Sequence, residues 1–392
     1  MSDIPPEVIS HIFSRLPVKS LLRFRCVSKP VKALIDSTNF IQAHLKQQML
    51  NPNSLILKAN NKAHNIFSVD NFSSTPQQQP KELDHPLNQP FGPTQVLGSC
   101  RGLLLISNNM SENGVWNPST NMFRKLPVCH FNPESKTPKG RGPGLAQICG
   151  GFGCDVCGDD YKVVTIGQWY HPDDNPSLVS ATMVYSLKFG GWKKLKEDCP
   201  YWLLKEDNGT FAGGALNWIV TKEPLVRSSP LILVGLNLGS ERFEEMPFPE
   251  NLGKPIQFNL AALGERLCLI SGHVTNAKAN VLDHVDVWMM KDRSWVKLFK
   301  VEQLEGRQHF TYLRPIAYSV TGKEVLMEMD GRKFLWYSLE KKSLKHAKIS
   351  GGLDCFETFV SFDTLVPLYE KHGKKGIEER DVSVIEECKL EL

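Results

Sequence analysis

The feature that most constrains this chain is a hairpin that recurs along it. Val115-Trp116-Asn117-Pro118-Ser119-Thr120 leads through a turn to Phe123 and then Leu126-Pro127. Val184-Tyr185-Ser186-Leu187 leads through Gly190-Gly191 to Trp192 and Leu195, and Gly235-Leu236-Asn237-Leu238 leads to Phe243 and Met246-Pro247. Val285-Asp286-Val287-Trp288-Met289 leads to Trp295 and Leu298, Leu335-Trp336-Tyr337-Ser338-Leu339 to Leu344, and Ile66-Phe67-Ser68-Val69 is a worn copy. Each copy is a strand, a polar or Gly turn, and a second strand bearing a hydrophobic side chain, with one buried face. The period of about 50 residues is that of propeller blades. Further strands sit between the hairpins, among them Leu103-Leu104-Leu105-Ile106, Tyr161 to Ile166 and Arg266 to Ile270. Two such strands and a hairpin make a four-stranded blade. Five clear copies and one worn copy predict about six blades closing into a ring, with an irregular β-sandwich as the alternative.

Residues 3–48 read differently, as short helices. Pro5-Pro6 opens the first, where backbone N–H groups lack partners anyway, and Glu7 lies at the favourable end of the dipole. Val8, Ile9, Ile12, Phe13 and Leu16 form an apolar stripe at helical spacing before Pro17 ends it. A second helix starts at about Lys19 with Leu21, Leu22 and Phe24. Pro30 opens a third with Val31, Leu34 and Ile35, and Ser37 caps a fourth holding Phe40, Ile41 and Leu45. Forty-odd residues lie at the margin for independent folding, so the stripe either packs on the rest of the chain or is kept for a partner. The fold class expected is therefore α+β multidomain: a small helical unit over 1–48, an all-β propeller over 50–368, and a charged, mobile tail over 369–392.

Ile4-Pro5-Pro6-Glu7-Val8-Ile9 and the run Ile12 to Lys29, with Leu16-Pro17-Val18 and Leu21-Leu22-Arg23 inside it, resemble the F-box almost position for position. The family's usual first Leu is Ile4 here, and Pro30-Val31 stands where a Trp is common. Gly98-Ser99-Cys100-Arg101-Gly102-Leu103, Trp116 to Thr120, Gly151-Phe152-Gly153 and Asp159 to Val164 resemble the plant F-box-associated domain, a kelch-related module. Val287-Trp288-Met289-Met290-Lys291 and Pro315-Ile316-Ala317-Tyr318 look most like the type that regulates plant defence.

This resemblance implies a non-catalytic substrate receptor of an SCF (Skp1–cullin–F-box) ubiquitin ligase. It docks to the adaptor Skp1, and through it a cullin, while presenting a protein target, possible classes being an immune receptor or signalling protein. The Skp1 contacts expected are Ile4, Pro5, Val8, Ile9, Pro17, Leu21 and Leu22, with Ile12 and Phe13 as helix core; desolvated aliphatic anchors dominate such a contact. Target contacts are expected from exposed aromatics at Trp169, Tyr170, His171, Tyr201 and Trp202, and from the stretch His273 to His284.

The residues offer little catalytic chemistry. Cys154-x-x-Cys157 lacks a second pair and reads as incidental. Gly140-Arg141-Gly142-Pro143-Gly144 lacks a phosphate-loop context, and Asp159-Asp160 and Asp173-Asp174 read as turn formers. No cofactor or metal is expected. A propeller enzyme and a scaffold capped by its helices are the competing readings. The charge of +4 is weak and unclustered, which argues against nucleic acid as a partner. The start is polar and no long apolar run occurs, so a chain of the cytoplasm and nucleus is expected, without membrane insertion.

Overall fold

The computed structural model describes residues 5–50, 54–60, 65–72, 79–87, 93–108, 112–131, 145–157, 159–171, 177–204, 208–223, 226, 229–274, 282–302, 310–347, 349 and 353–368. Four helices come first: α1 (Pro6–Phe13), α2 (Val18–Phe24), α3 (Lys29–Ile35) and α4 (Thr38–Met49). Pro5 and Pro17, both extended, precede α1 and α2 and set where each begins. The Ser28 and Ser37 hydroxyls accept from the Val31 and Phe40 amides at 3.4 and 3.3 Å, capping α3 and α4. No helix among the described residues is long and apolar enough to cross a membrane.

Six antiparallel sheets follow, arranged as the blades of a propeller. Blade two is Thr94–Cys100, Leu103–Asn108, Glu112–Asn117 and Met122–Lys125, and blade three is Leu145–Asp155, Asp160–His171, Ser177–Ser186 and Gly191–Lys194. Blade five (Gln257–Leu263, Arg266–His273, His284–Lys291, Ser294–Glu302) and blade six (Leu313–Tyr318, Glu324–Met329, Lys333–Ser338, Ser343–His346) repeat the order. In blade four two short strands, Trp202–Leu203 and Thr210–Ala212, share the inner edge of Ala215–Thr221, followed by Leu231–Asn237 and Arg242–Met246. Blade one closes the ring. Its inner strand is Phe356–Ser361, from the far end of the chain, paired from Ser54↔Ser361 to Ala59↔Phe356, with Ile66–Asp70 and Lys81–Glu82 outside.

The hairpin residues have specific packing roles. Trp192 Nε1 donates to the Pro127 carbonyl at 2.8 Å, and Trp295 Nε1 to the Pro247 carbonyl at 2.7 Å. The outer-strand aromatic of one blade thus latches onto the proline that ends the previous blade. Asp159, with φ of 48°, sits in the 156–159 turn, and Asp160 is buried, accepting from the Ser186 hydroxyl at 2.6 Å, so this acidic pair builds a turn. Cys154 is buried in the core and Cys157 is exposed, so the two thiols do not face one site. Gly140 to Gly144, Asp173-Asp174 and the 369–392 tail lie outside the described residues.

Strand alternation gives the ring two unlike ends. In blades two to six the turns from inner to second strand and from third to outer strand are short, as at 101–102, 213–214, 264–265 and 292–293. The strand ends that face the other way, such as Lys125, Met246, His273 and Glu302, lead into longer connections, 126–144, 247–256, 274–283 and 303–312.

Candidate functional site

The helices sit on the short-turn end. On α4, Leu45 is buried against Cys100, Leu103, Phe152 and Cys154, with Ile41 and Met49 packed alongside. Gln42 Nε2 donates to Asp159 Oδ1 at 2.9 Å. Gln42, Leu45, Lys46 and Met49 line one mouth of a central channel of about 1540 Å³, walled by the inner strands.

Residues 362–368 hold the junction together. Asn117 Nδ2 donates to the carbonyls of Thr364 and Val366 at 3.1 and 3.0 Å, and the Ser119 hydroxyl donates to Asp363 Oδ1 at 3.3 Å. Arg124 Nη1 donates to the Leu187 and Leu368 carbonyls at 2.6 and 2.9 Å. Val366 and Leu368 enter the propeller core, whereas Leu365 enters the helical core beside Val18, Leu21, Ile35 and Phe40. The Trp-Asn-Pro-Ser-Thr run of the first clear hairpin is thus a socket for the end of the ring. His44, fully buried in the same junction, meets the Leu16 carbonyl through Nε2 at 2.9 Å. Burial pushes its imidazole below the ordinary value, against the pull of the Leu16 carbonyl and of Asp363.

The outward face of α1 and α2 is apolar and uncovered. Val8 is 46% exposed, Ile12 50%, Phe24 38% and Val27 70%. Phe13 stacks on Phe24 with centroids 5.2 Å apart. Among the expected Skp1 contacts, Pro5, Val8 and Pro17 are exposed, Ile9 and Leu22 are half-buried, and Ile4 lies outside the described residues. Leu21 is different: at 0% exposure it is a core residue. The reason is geometric. Val18 and Leu21 share one face of a seven-residue helix, and Leu365 from the chain's other end completes their cover. Ile12, expected in the core, points out instead. Exposure, rather than periodicity, separates these residues, and the covering Leu365 had no local signal.

The aromatics expected to meet a target lie at the long-connection end. Trp169 is half-buried with Phe131 edge-on at 6.0 Å. Tyr170 and Trp202 are buried and meet edge-on at 6.0 Å, which makes them blade packing rather than exposed anchors. The Tyr201 hydroxyl donates to Glu245. The His171 side chain lies outside the described residues. One residue with no sequence signal organises this region: Gln168, fully buried, donates to the Ser180 hydroxyl at 3.0 Å and the Tyr201 carbonyl at 2.6 Å, and accepts from the Leu203 amide at 3.0 Å.

Short helices that leave apolar side chains of α1 and α2 open, with α4 packed on a six-blade ring, define a small helical domain joined to a propeller. Comparison with known families agrees. The F-box domain family matches residues 1–42, and the F-box associated beta propeller domain family matches residues 54–367. The chain belongs to the F-box proteins that carry this propeller. F-box protein CPR1 of Arabidopsis thaliana is 32% identical over 376 residues, covering 91% of this chain and 86% of that protein. F-box protein At4g22390 of the same plant is 26% identical, with 93% and 90% covered, and F-box/kelch-repeat protein At3g23880 is 27% identical, with 83% and 85% covered. An F-box domain implies binding to Skp1 in an SCF complex.

Proposed function

We propose that this protein is the substrate-recognition subunit of an SCF ubiquitin ligase, holding Skp1 on its helices and a protein target on its propeller. The observation that carries the reading is the exposure of Val8 and Ile12 on α1, Phe24 on α2 and Val27 just after it, on helices whose other side is packed into a helical core that α4 and Leu365 join to the ring. Each such side chain contributes about 1.5–3 kcal/mol when a partner buries it. Ubiquitin transfer asks the receptor only to hold a target's lysine near the charged conjugating enzyme, which is a gain in effective concentration and needs no catalytic group on this chain. The long connections opposite the helices are the target-facing surface in this reading, and the complex works in the cytoplasm and nucleus. The resemblance of Val287 to Lys291 and Pro315 to Tyr318 to the defence-regulating type points to plant immunity, with an immune receptor or signalling protein as the target class.

The test is co-purification with Skp1 of the full chain and of a Val8→Asp/Ile12→Asp variant. Loss of two anchors is expected to weaken binding by about 100-fold or more, with the propeller's unfolding transition unchanged. Equal retention of Skp1 by both chains overturns the proposal.

A further inference from the structure

We propose that His273, His284 and Asp286 form a binding site for a divalent transition-metal ion of the zinc class, at the long-connection end of blade five. Among the described residues they are the group of three ligand-type side chains whose donor atoms all lie within 4.8 Å of one another. They converge through strand register. His273 pairs directly with His284 across Arg266–His273 and His284–Lys291, and Asp286, two residues along, pairs with Ser271. All therefore project from one face of the sheet. The imidazoles stack with centroids 4.5 Å apart and planes 6° from parallel, so one ring turns about its χ2 bond when both nitrogens meet a single ion.

The ion pair and hydrogen bonds already present leave this group unsatisfied. Lys297 Nζ meets Asp286 Oδ2 at 2.7 Å, and His273 Nε2 lies 3.6 Å from that same oxygen and 3.2 Å from the Ser271 hydroxyl. Among the described residues Asp286 Oδ1 has no hydrogen-bond partner, although the residue is only 5% exposed. A buried carboxylate oxygen without a partner is costly, and two imidazoles beside it supply the rest of a ligand set.

Two nitrogens and one oxygen suit zinc, cobalt, nickel or copper rather than calcium or magnesium, which take oxygen ligands. Three protein ligands leave a fourth position for water or an incoming donor. Because both strands are hydrogen-bonded into the blade, the ion would staple the last pair of the ladder before the 274–283 connection. The ligand spacing, eleven residues and then two, matches no linear zinc motif. Only the hairpin register brings the three together.

The test uses the full chain, stripped with chelator and titrated with Co²⁺, then Zn²⁺. One equivalent of Co²⁺ is expected to give the intense visible absorption of a four-coordinate site and to be displaced by Zn²⁺. His284→Gln and Asp286→Asn are each expected to weaken binding by more than about 100-fold, beyond the usual effect of losing an outer-sphere partner. Lys297→Met removes the competing ammonium and is expected to tighten binding about tenfold, a gain that a merely misfolded blade cannot produce. Unchanged affinity in His284→Gln overturns the site. So does a sulfur-to-cobalt charge-transfer band at the first equivalent, which would place the ion on cysteine.

Discussion

The two ends of the ring are built by opposite rules. At the short-turn end, tight connections bring the blades' main chains close to α4 and to residues 362–368, and several polar side chains there make specific long-range hydrogen bonds. Asn117, Ser119, Arg124 and Gln42 all bond across elements far apart in sequence. At the other end the chain leaves the sheets in long connections, held at their bases by such groups as Gln168. One end is built to hold the docking helices at a fixed angle. The other carries longer connections whose described residues reach back into the ring at a few anchors, such as Leu282 and Phe310 in the core of blades five and six, and connections of this kind are where sequence can change most freely.

That contrast can be broken most directly at the junction. Leu365→Ala with Val366→Ala empties the helical core and the propeller core at once, and is expected to cost about 3–6 kcal/mol in urea unfolding, lowering Skp1 binding as well. An effect below about 1 kcal/mol would show that the helices and the ring are not mechanically joined. Next in size is a paired insertion. Ten Gly/Ser residues between Ser119 and Thr120 interrupt the socket for residues 362–368 and are expected to cost about 2–4 kcal/mol, several hydrogen bonds' worth. The same insertion within 303–309 is expected to cost about 0.6 kcal/mol, the entropy of lengthening a loop. Similar costs at both sites would erase the distinction between the ends.

A smaller effect tests one strut of the tight end. Lys162 is buried, donating to the Leu238 carbonyl at 2.6 Å and Glu241 Oε1 at 2.9 Å, and so ties blade three to blade four. Lys162→Met is expected to cost about 2 kcal/mol, because Glu241 keeps Lys193 at 2.7 Å as a second partner. Thermal unfolding of the two chains measures it.

Local pattern makes some of this architecture readable and hides the rest for a physical reason. The hairpins, the proline starts of α1 and α2 and the cap at Ser37 all follow from residues near one another in sequence. The strands 94–100 and 313–318, which wall the channel, read less regularly because register shifts between Val96 and Gly98 and between Pro315 and Ala317 break the alternation of their faces. The hairpin of blade one reads as worn because its outer strand is only Lys81–Glu82, set off from Ile66–Asp70 by 71–80, and the blade's inner strand, Phe356–Ser361, comes from the far end of the chain. The burial of Leu21 is completed by Leu365, more than 300 positions away. Only closure of the ring brings that residue to the helices.

The mildest perturbation of the junction is a change of pH. His44 has its pKa lowered by burial, so below the ordinary imidazole value the unfolded chain binds a proton that the folded chain resists. Its contribution to stability is therefore fully present above about pH 6.5 and declines as the pH falls toward the depressed folded value. His44→Gln preserves an amide donor for the Leu16 carbonyl but cannot titrate in this range. Other groups, such as His85 in blade one, are common to both chains and drop out of the difference. The wild-type unfolding midpoint is expected to fall more steeply than that of His44→Gln between about pH 7.5 and about pH 5.5. Parallel curves would mean that protonation of the junction histidine is accommodated without cost, and that the tight end yields more readily than its hydrogen bonds imply.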